Sequence, residues 1–287
     1  MMAQLVFNGL VTGLLIALPA LSLALVFSVL RFANYAIGST LTVGSYLVYA
    51  FNFGLGWPLP VAALAGMVVS AGLALAIDRT VYEPLKGRGG VTLLVASIGV
   101  GLVLENAVRF IAGSSTRGFV VEVARPIRVL GLRINHEQIT TIVAVLLALA
   151  VVWIVFRFTR LGRAMRAVAD NADLAAVRGV SRRGVVAAVW VISSALATLA
   201  GVLVGLDGNV DPQMGWNYIL PVFTAAILGG IGNPMAAVAG AVLLGITEEL
   251  ATLVLAPHYR TMVAFAVMAI LLLVRPTGLF GTQGAAR

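Results

Sequence analysis

The chain has 287 residues, of which 61% are apolar and 10% are charged, and its formal net charge is +8 at pH 7. Soluble domains carry about 25% charged residues, so the composition excludes the soluble enzyme classes and indicates an integral membrane protein. The 19 Lys and Arg residues interrupt apolar runs instead of forming the continuous basic face of a nucleic-acid-binding protein. Cysteine is absent, which excludes disulfides, thiolate metal sites and cysteine nucleophiles.

Long apolar segments recur along the whole chain. A helix needs ~20 apolar residues to cross ~30 Å of hydrocarbon, and lipid admits only helices or closed barrels. No segment alternates like a barrel strand, so the pattern predicts an all-α polytopic membrane bundle, one domain over residues 1–287, with eight to nine spans. The first span lacks the features of a cleaved signal peptide. The candidate spans are 5–30, 37–54, 59–77, 91–112, 139–157, 185–206, 218–232, 235–255 and 260–274.

The arginines predict the orientation of these spans, because cytoplasmic loops are rich in Lys and Arg. The linker 78–90 and the segment 157–183 hold many cations, and Arg31, Arg275 and Arg287 fall on the same side. The outer loop 113–138 holds fewer, namely Arg117, Arg125, Arg128 and Arg133. We therefore predict an outside N-terminus, a cytoplasmic C-terminus and an odd number of crossings.

The segment 159–183 is too polar to cross the membrane, yet its Ala, Leu, Met and Arg residues favour a helix. Asp170 or Asp173 can begin a second short helix, and Gly179 can end it. On composition alone two interpretations stay open. The segment is either a surface helix pair against which another protein docks, or a solvated loop whose arginines only set the topology.

A second irregular segment lies at residues 229–234, where three glycines precede Asn233 and Pro234. Glycine favours non-helical backbone and proline removes a backbone donor. The span 218–232 is therefore either broken or re-entrant here, or it ends in an ordinary tight turn between two helices.

Several motifs resemble the permease subunits of branched-chain amino-acid ABC importers, in the order in which that family carries them. The segment 159–180 (TRLGRAMRAVADNADLAAVRGV) is similar to the family's cytoplasmic loop T-x-x-G-R-A-x-R-A-x-x-x-N-x-x-x-A-x-x-x-G-[IV]. The remaining matches are residues 81–86 (VYEPLK), 96–106 (ASIGVGLVLEN), 226–234 (AILGGIGNP) and 275–281 (RPTGLFG). The resemblance covers essentially the whole chain. Two departures are the absence of the family's His in residues 31–38 and the acidic Glu83 before a Pro-Leu pair.

The resemblance implies a transport subunit of the inner membrane and not an enzyme. In such importers the cytoplasmic loop docks into an ATP-binding subunit, and ATP and Mg²⁺ bind there and not to the permease. No P-loop sequence occurs in this chain, which agrees with that division. Further implied partners are a second homologous permease, identical or not, an extracytoplasmic solute-binding protein and membrane lipid, but no nucleic acid. The implied coupling residues are Gly162, Arg163, Arg166, Asp170, Asn171, Asp173 and Gly179.

Polar and flexible residues within the spans are candidates for the translocation pathway or its gate. An unpaired charge in a span costs at least ~2.5–3.5 kcal/mol, so Glu105 and Arg109, four residues apart, are expected to pair near the outer surface. The pair is either structural or in direct contact with the ligand. Glu248 or Glu249 is expected to face the bundle interior or a partner. The pathway candidates are Asn34, Gly38, Ser97, Gly99, Asn106, Gly230, Asn233 and Glu248.

The substrate stays open among branched-chain amino acids, urea, short amides and aromatic acids, since related permeases handle all of these. The alternative function is an ion-coupled secondary transporter or channel that works without an ATPase and uses Glu248 or Glu249 as its proton site.

Overall fold

A computed structural model describes residues 2–120, 127–129, 132–256, 259–275 and 278–280. Helices dominate these residues, and a short antiparallel hairpin of β1 (Ile127–Val129) and β2 (Leu132–Ile134) precedes α6. The helices are α1 (Met2–Leu30), α2 (Ile37–Tyr49), α3 (Leu59–Ile77), α4 (Glu83–Leu85), α5 (Gly90–Ala112), α6 (His136–Phe158), α7 (Arg160–Asp170), α8 (Ala172–Val177), α9 (Arg182–Asp207), α10 (Met214–Gly229), α11 (Pro234–Ala251) and α12 (Arg260–Val274). Arg125, His258 and Arg287, and parts of the outer loop 113–138, lie outside the described residues.

The centre of the bundle is built from α1, α2, α9, α10 and α11, which pack through small residues. A Cβ added at Gly245 would lie 2.3 Å from the backbone nitrogen of Gly13 and 2.6 Å from the carbonyl oxygen of Gly9. At Gly201 it would lie 2.3 Å from the carbonyl oxygen of Leu41. In lipid, helices associate through such small faces because apolar surface alone gives no driving force.

The helices α3, α5 and α6 stand at the periphery. Of their most apolar stretches only 33%, 28% and 17% respectively are buried inside the chain, against 83% for α1. Their outward surfaces are therefore available to lipid or to other subunits. Two of the connections near this layer are π-helical turns, at Ala50–Gly54 after α2 and at Asp78–Tyr82 after α3.

Six helices of the described residues are long and apolar enough to cross a membrane, namely α1, α3 with its extension to Leu85, α5, α6, α9 and α11. The helix α10 and residues Met262–Val274 of α12 are apolar but shorter, and α2 has 13 residues. The prediction of a helical, multi-pass membrane bundle is confirmed, and the β1–β2 hairpin lies in the loop before α6. A count of eight requires that two of these three shorter helices cross as well, and a count of nine requires all three.

Residues 230–233 form a tight turn between α10 and α11, which pack side by side. Gly230 has φ +118°, a backbone conformation that favours glycine. The Asn233 side chain accepts a hydrogen bond from the Ala236 backbone at 3.3 Å and so begins α11. The N–H groups of Leu279 and Phe280 donate to the carbonyl oxygens of Leu228 (2.8 Å) and Gly229 (3.1 Å), so the residues after α12 satisfy the last carbonyls of α10.

Candidate functional site

The segment 159–183 forms two short helices, α7 and α8, at one end of the bundle. The Thr159 hydroxyl accepts a hydrogen bond from the Gly162 backbone at 3.1 Å and begins α7. A Cβ at Gly162 would lie 2.4 Å from the carbonyl oxygens of Val155 and Phe156, so only glycine lets α7 turn this closely across the end of α6. Arg166 donates to the carbonyl oxygen of Phe156, which fixes the same corner.

The inner face of α7 is anchored to the membrane helices. Met165 and Val168 are almost fully buried and join an apolar cluster with Val29 of α1 and Trp190 of α9. Arg31, in the left-handed region at φ 58°, donates from its guanidinium to the carbonyl oxygen of Ala169 near the end of α7. A displacement of α7 would therefore be transmitted directly to α1 and α9.

Most residues of the helix α8 are exposed at the surface. The Asn171 side chain accepts hydrogen bonds from the backbones of Asp173 (3.1 Å) and Leu174 (2.9 Å), so Asn171, and not the predicted Asp170 or Asp173, begins α8. Gly179, with φ +81°, follows the helix end. Leu174 is 58% and Val177 83% exposed. Of the predicted coupling residues, Gly162 is buried, Arg163, Arg166, Asp170, Asn171 and Asp173 are exposed, and Gly179 ends α8 at the surface.

Several cationic side chains lie at the end of the bundle that carries α7 and α8, which we call the arginine-rich end. They include Arg31, Lys86, Arg166, Arg182 and Arg183. An open cleft of about 300 Å³ lies there. Arg31, Lys86 and Arg182 line it, together with the glycine-rich linker before α5. Lys86 also pairs with Asp78 at 3.5 Å.

A small cavity of about 20 Å³, room for one water molecule, lies deeper in the bundle; its lining is mostly apolar, with Asn34 and Thr40 among its polar side chains. Two of the predicted pathway residues meet near it. The buried Asn34 side chain accepts from the Ala36 backbone at 3.1 Å and from the Tyr82 hydroxyl at 3.4 Å. The buried Ser97 hydroxyl accepts from the Tyr35 backbone at 2.9 Å, which ties α5 to the segment before α2.

An aromatic layer separates this cavity from the cleft. Tyr82 lines both spaces, and its ring stacks on Trp190 with centroids 5.0 Å apart and contacts Phe32 at 5.4 Å. The π turn Asp78–Tyr82 places Tyr82 in the interior, where it is 1% exposed. Sequence reasoning did not single out these three residues as a site. Tyr82 lies within the motif at residues 81–86 and Phe32 within the segment 31–38, whereas Trp190 belongs to no motif.

The other predicted pathway residues do not join Asn34 and Ser97 in one site. Gly38 lies at a close crossing of α2 and α10, where an added Cβ would be 2.5 Å from the carbonyl oxygen of Gly215. Gly99 and Asn106 are exposed on α5. Gly230 and Asn233 belong to the turn before α11, and Glu248 is buried on α11, at 4% exposure.

The predicted pair on α5 is present. Arg109 Nη2 donates to Glu105 Oε1 at 2.6 Å, and 34% of the Arg109 side chain and 12% of the Glu105 side chain are exposed.

Among the described residues, no group of three or more acidic, His or Cys side chains is arranged to hold a metal ion. The chain thus offers an anchored surface segment, a small internal cavity and a polar helix face.

Comparison with known proteins agrees with this architecture. Residues 5–272 match the family described as "Branched-chain amino acid transport system / permease component". The chain is 33% identical to the high-affinity branched-chain amino acid transport system permease protein LivH of Escherichia coli (strain K12), over 97% of this chain and 95% of that protein. It is 31% identical to the corresponding protein BraD of Pseudomonas aeruginosa, with the same coverage.

A solved structure, "PsaBC from Streptococcus pneumoniae in complex with Fab", superposes with a TM-score of 0.54 at 13% identity, over 94% of this chain and 91% of that chain. This likeness concerns the fold alone. The family match covers most of the chain and confirms what the sequence motifs indicated. The chain belongs to the permease-component family of branched-chain amino acid transport systems, and it is a membrane transport component and not an enzyme.

Proposed function

We propose that this chain is the membrane-spanning subunit of an ATP-driven importer for branched-chain amino acids. Its relatives LivH and BraD are named as permeases of that transport. In this proposal a separate subunit binds ATP and Mg²⁺, a second permease completes the pathway, and an external binding protein delivers the solute. The observation that carries the proposal is the geometry of α7 and α8.

The two helices combine an anchored face with a free one. The buried face of α7 packs against α1 and α9 through Met165 and Val168. The free face of α8 exposes Leu174 and Val177 beside several charges, which is the composition of a surface for another protein. A motor subunit that moves α8 would pull on α7 and therefore on the membrane helices. A solvated loop that only sets the topology would not need exposed apolar side chains on a helix that the Asn171 cap keeps ordered.

The orientation follows from the distribution of charge. We propose that the arginine-rich end faces the cytoplasm, in accord with the preference of Lys and Arg for that side. The N-terminus is then outside and the C-terminus cytoplasmic. This requires an odd number of crossings, which is reached when α2, α10 and α12 cross together with the six longer helices.

An experiment on α8 tests the proposal. The double variant Leu174→Asp with Val177→Asp is co-expressed with the ATPase subunit and the second permease. We expect ATPase recovery on the purified permease and leucine uptake to fall by about tenfold or more, since carboxylates buried at an interface without partners cost several kcal/mol. Both side chains are exposed, so the yield of the folded permease should stay unchanged.

The matched control is Val254→Asp, because Val254 is 90% exposed but follows α11 at the opposite end of the bundle. It should leave ATPase recovery and uptake at the level of the unmodified importer. Normal ATPase recovery and uptake in the double variant would contradict the proposal. ATP-independent uptake by the purified permease alone would favour the ion-coupled alternative.

A further inference from the structure

The helix α5 carries polar residues where the rest of the chain leaves it uncovered. Only 28% of its most apolar stretch is buried inside the chain. Asn106, in the C-terminal half of the helix, is exposed, and Glu105 and Arg109 lie beside it at the edge of the same surface. In the proposed orientation this half of α5 lies toward the outside of the membrane.

The central stretches of the neighbouring peripheral helices have no such feature. The exposed residues between positions 60 and 76 of α3, and between positions 143 and 154 of α6, carry no charged side chain and no amide side chain. Those surfaces suit lipid. An ion pair and an amide at the surface of a span are costly in hydrocarbon, and polar groups within spans usually face a bundle interior or a water-filled cavity. The surface of α5 around Asn106 is therefore better suited to an aqueous pathway than to lipid.

The three side chains keep hydrogen-bonding capacity toward that surface. Arg109 has five N–H donors, and the bond to Glu105 uses one of them. Glu105 has a second carboxylate oxygen. Asn106 donates from Nδ2 to the carbonyl oxygen of Leu102 at 2.8 Å, and its amide oxygen remains an acceptor. The set thus presents donors for an anion and acceptors for a cation, with no net charge.

We infer that Glu105, Asn106 and Arg109 form a station for the zwitterionic head group of an α-amino acid as it passes between α5 and the second permease. This inference rests on the proposed function and adds to it where the solute is handled. The guanidinium of Arg109 receives the carboxylate, for which its planar fork is suited, and Glu105 and the Asn106 oxygen receive the ammonium group.

The exchange of partners is balanced in charge. As the solute arrives, two new ion pairs replace the pair between Glu105 and Arg109, and that pair forms again when the solute leaves. No charge is left unpaired in the membrane at either stage, which avoids the largest cost of moving a zwitterion through a span. Leu102 and Val103, exposed on the same helix, offer apolar surface to a branched aliphatic side chain.

The first test uses the complete importer in proteoliposomes, with radiolabelled L-leucine as the probe. We expect Arg109→Gln and Glu105→Gln each to lower leucine uptake by about tenfold or more, as for the loss of a hydrogen bond to a charged group, with normal subunit assembly. Arg117→Gln is the control, since it removes one positive charge at the same end of α5 but in the following loop. It should keep normal uptake.

The exchanged pair separates a binding role from a structural one. Glu105→Arg combined with Arg109→Glu keeps an ion pair on the same face of α5 but reverses its polarity along the helix. We expect the exchanged protein to assemble and its leucine uptake to stay about tenfold or more below normal. Recovery of normal uptake would mean that the pair only supports the helix, and would overturn the inference.

A second measurement does not depend on transport. The chain has no cysteine, so a single introduced thiol can be followed alone. Asn106→Cys should react with a charged, membrane-impermeant thiol reagent in the assembled importer, and more slowly with saturating L-leucine. Leu147→Cys, on the 63% exposed position of α6, should stay unreactive. An unreactive thiol at position 106 would overturn the inference, whereas absence of leucine uptake by the unmodified importer would instead overturn the proposed function.

Discussion

The helices α1 and α6 are both long and apolar, yet they occupy opposite environments. In α1, 83% of the most apolar stretch is buried inside the chain, whereas in α6 only 17% is buried. One difference lies in the glycines at the helix contacts. Gly9 and Gly13 bring α1 against α11, while α6 has no glycine and presents large residues such as Leu147 and Trp153 outward. At this crossing small residues, and not apolar character alone, allow α1 to pack within the protein.

The largest effect is expected at the crossing of α1 and α11. Gly245→Leu would place a side chain against backbone atoms that lie 2.3 Å from its Cβ position and that cannot move without separating the helices. We expect a loss of upwards of ~4–5 kcal/mol of unfolding free energy, measured as loss of monodisperse protein after extraction in detergent.

The control for this crossing is Gly72→Leu on the open surface of α3. A Cβ at Gly72 meets no atom within 4 Å, and leucine favours a helix more than glycine does. The yield of this variant should equal or exceed that of the unmodified protein. A similar loss of yield in both variants would contradict the distinction between the packed crossing at Gly245 and the open surface at Gly72.

A second comparison uses two tryptophans, one on a packed helix and one on a peripheral helix. Trp190 on α9 is 4% exposed and stacks on Tyr82, whereas Trp153 on α6 is 49% exposed. Trp190→Ala should lower the free energy of unfolding by about 3 to 5 kcal/mol because it leaves a cavity in the core. We expect Trp153→Ala to cost clearly less. Unfolding in mixed micelles with a denaturing detergent measures both, and equal costs would contradict the assignment of Trp190 to the core.

The sequence predicts much of this architecture, because its main signals are local. Apolar length predicts the six long helices, and the glycines at 229–232 predict the interruption before Pro234. The four-residue spacing predicts the pair of Glu105 and Arg109. The segment 159–183 predicts two short helices and the end of the second at Gly179, although Asn171, and not Asp170 or Asp173, begins that helix. Each of these features depends on neighbours in the chain.

Features that depend on distant segments were not predicted. The aromatic layer joins Phe32, Tyr82 and Trp190 from three parts of the chain, and a π turn places Tyr82 inward. Apolar periodicity assigns no partner to any of them. The predicted pathway residues share polar or flexible chemistry, yet only Asn34 and Ser97 lie near the same cavity, since chemistry alone does not give the face of a helix. The contact of residues 279 and 280 with the end of α10 likewise cannot be predicted from the motif at 226–234 or the motif at 275–281 alone.

The smallest effects are expected at two asparagine caps, which extend the comparison to short helices. Asn171 begins the exposed α8 and Asn233 begins the packed α11. Replacement by alanine should cost about 1 kcal/mol at each helix start. At Asn233 this cost should lower the free energy of unfolding of the whole bundle, because α11 packs against α1 and α10. At Asn171 only α8, with six residues, should loosen.

The measurable result is a separation of two quantities. Asn233→Ala should lower the unfolding midpoint and leave the affinity for the ATPase subunit unchanged. Asn171→Ala should leave the midpoint unchanged and weaken ATPase binding by about tenfold at most, since ~1.4 kcal/mol corresponds to a factor of ten. If Asn171→Ala lowers the midpoint as much as Asn233→Ala does, then α8 belongs to the cooperative core of the bundle. Its interpretation as an exposed docking helix, connected to the membrane helices through α7, is then wrong.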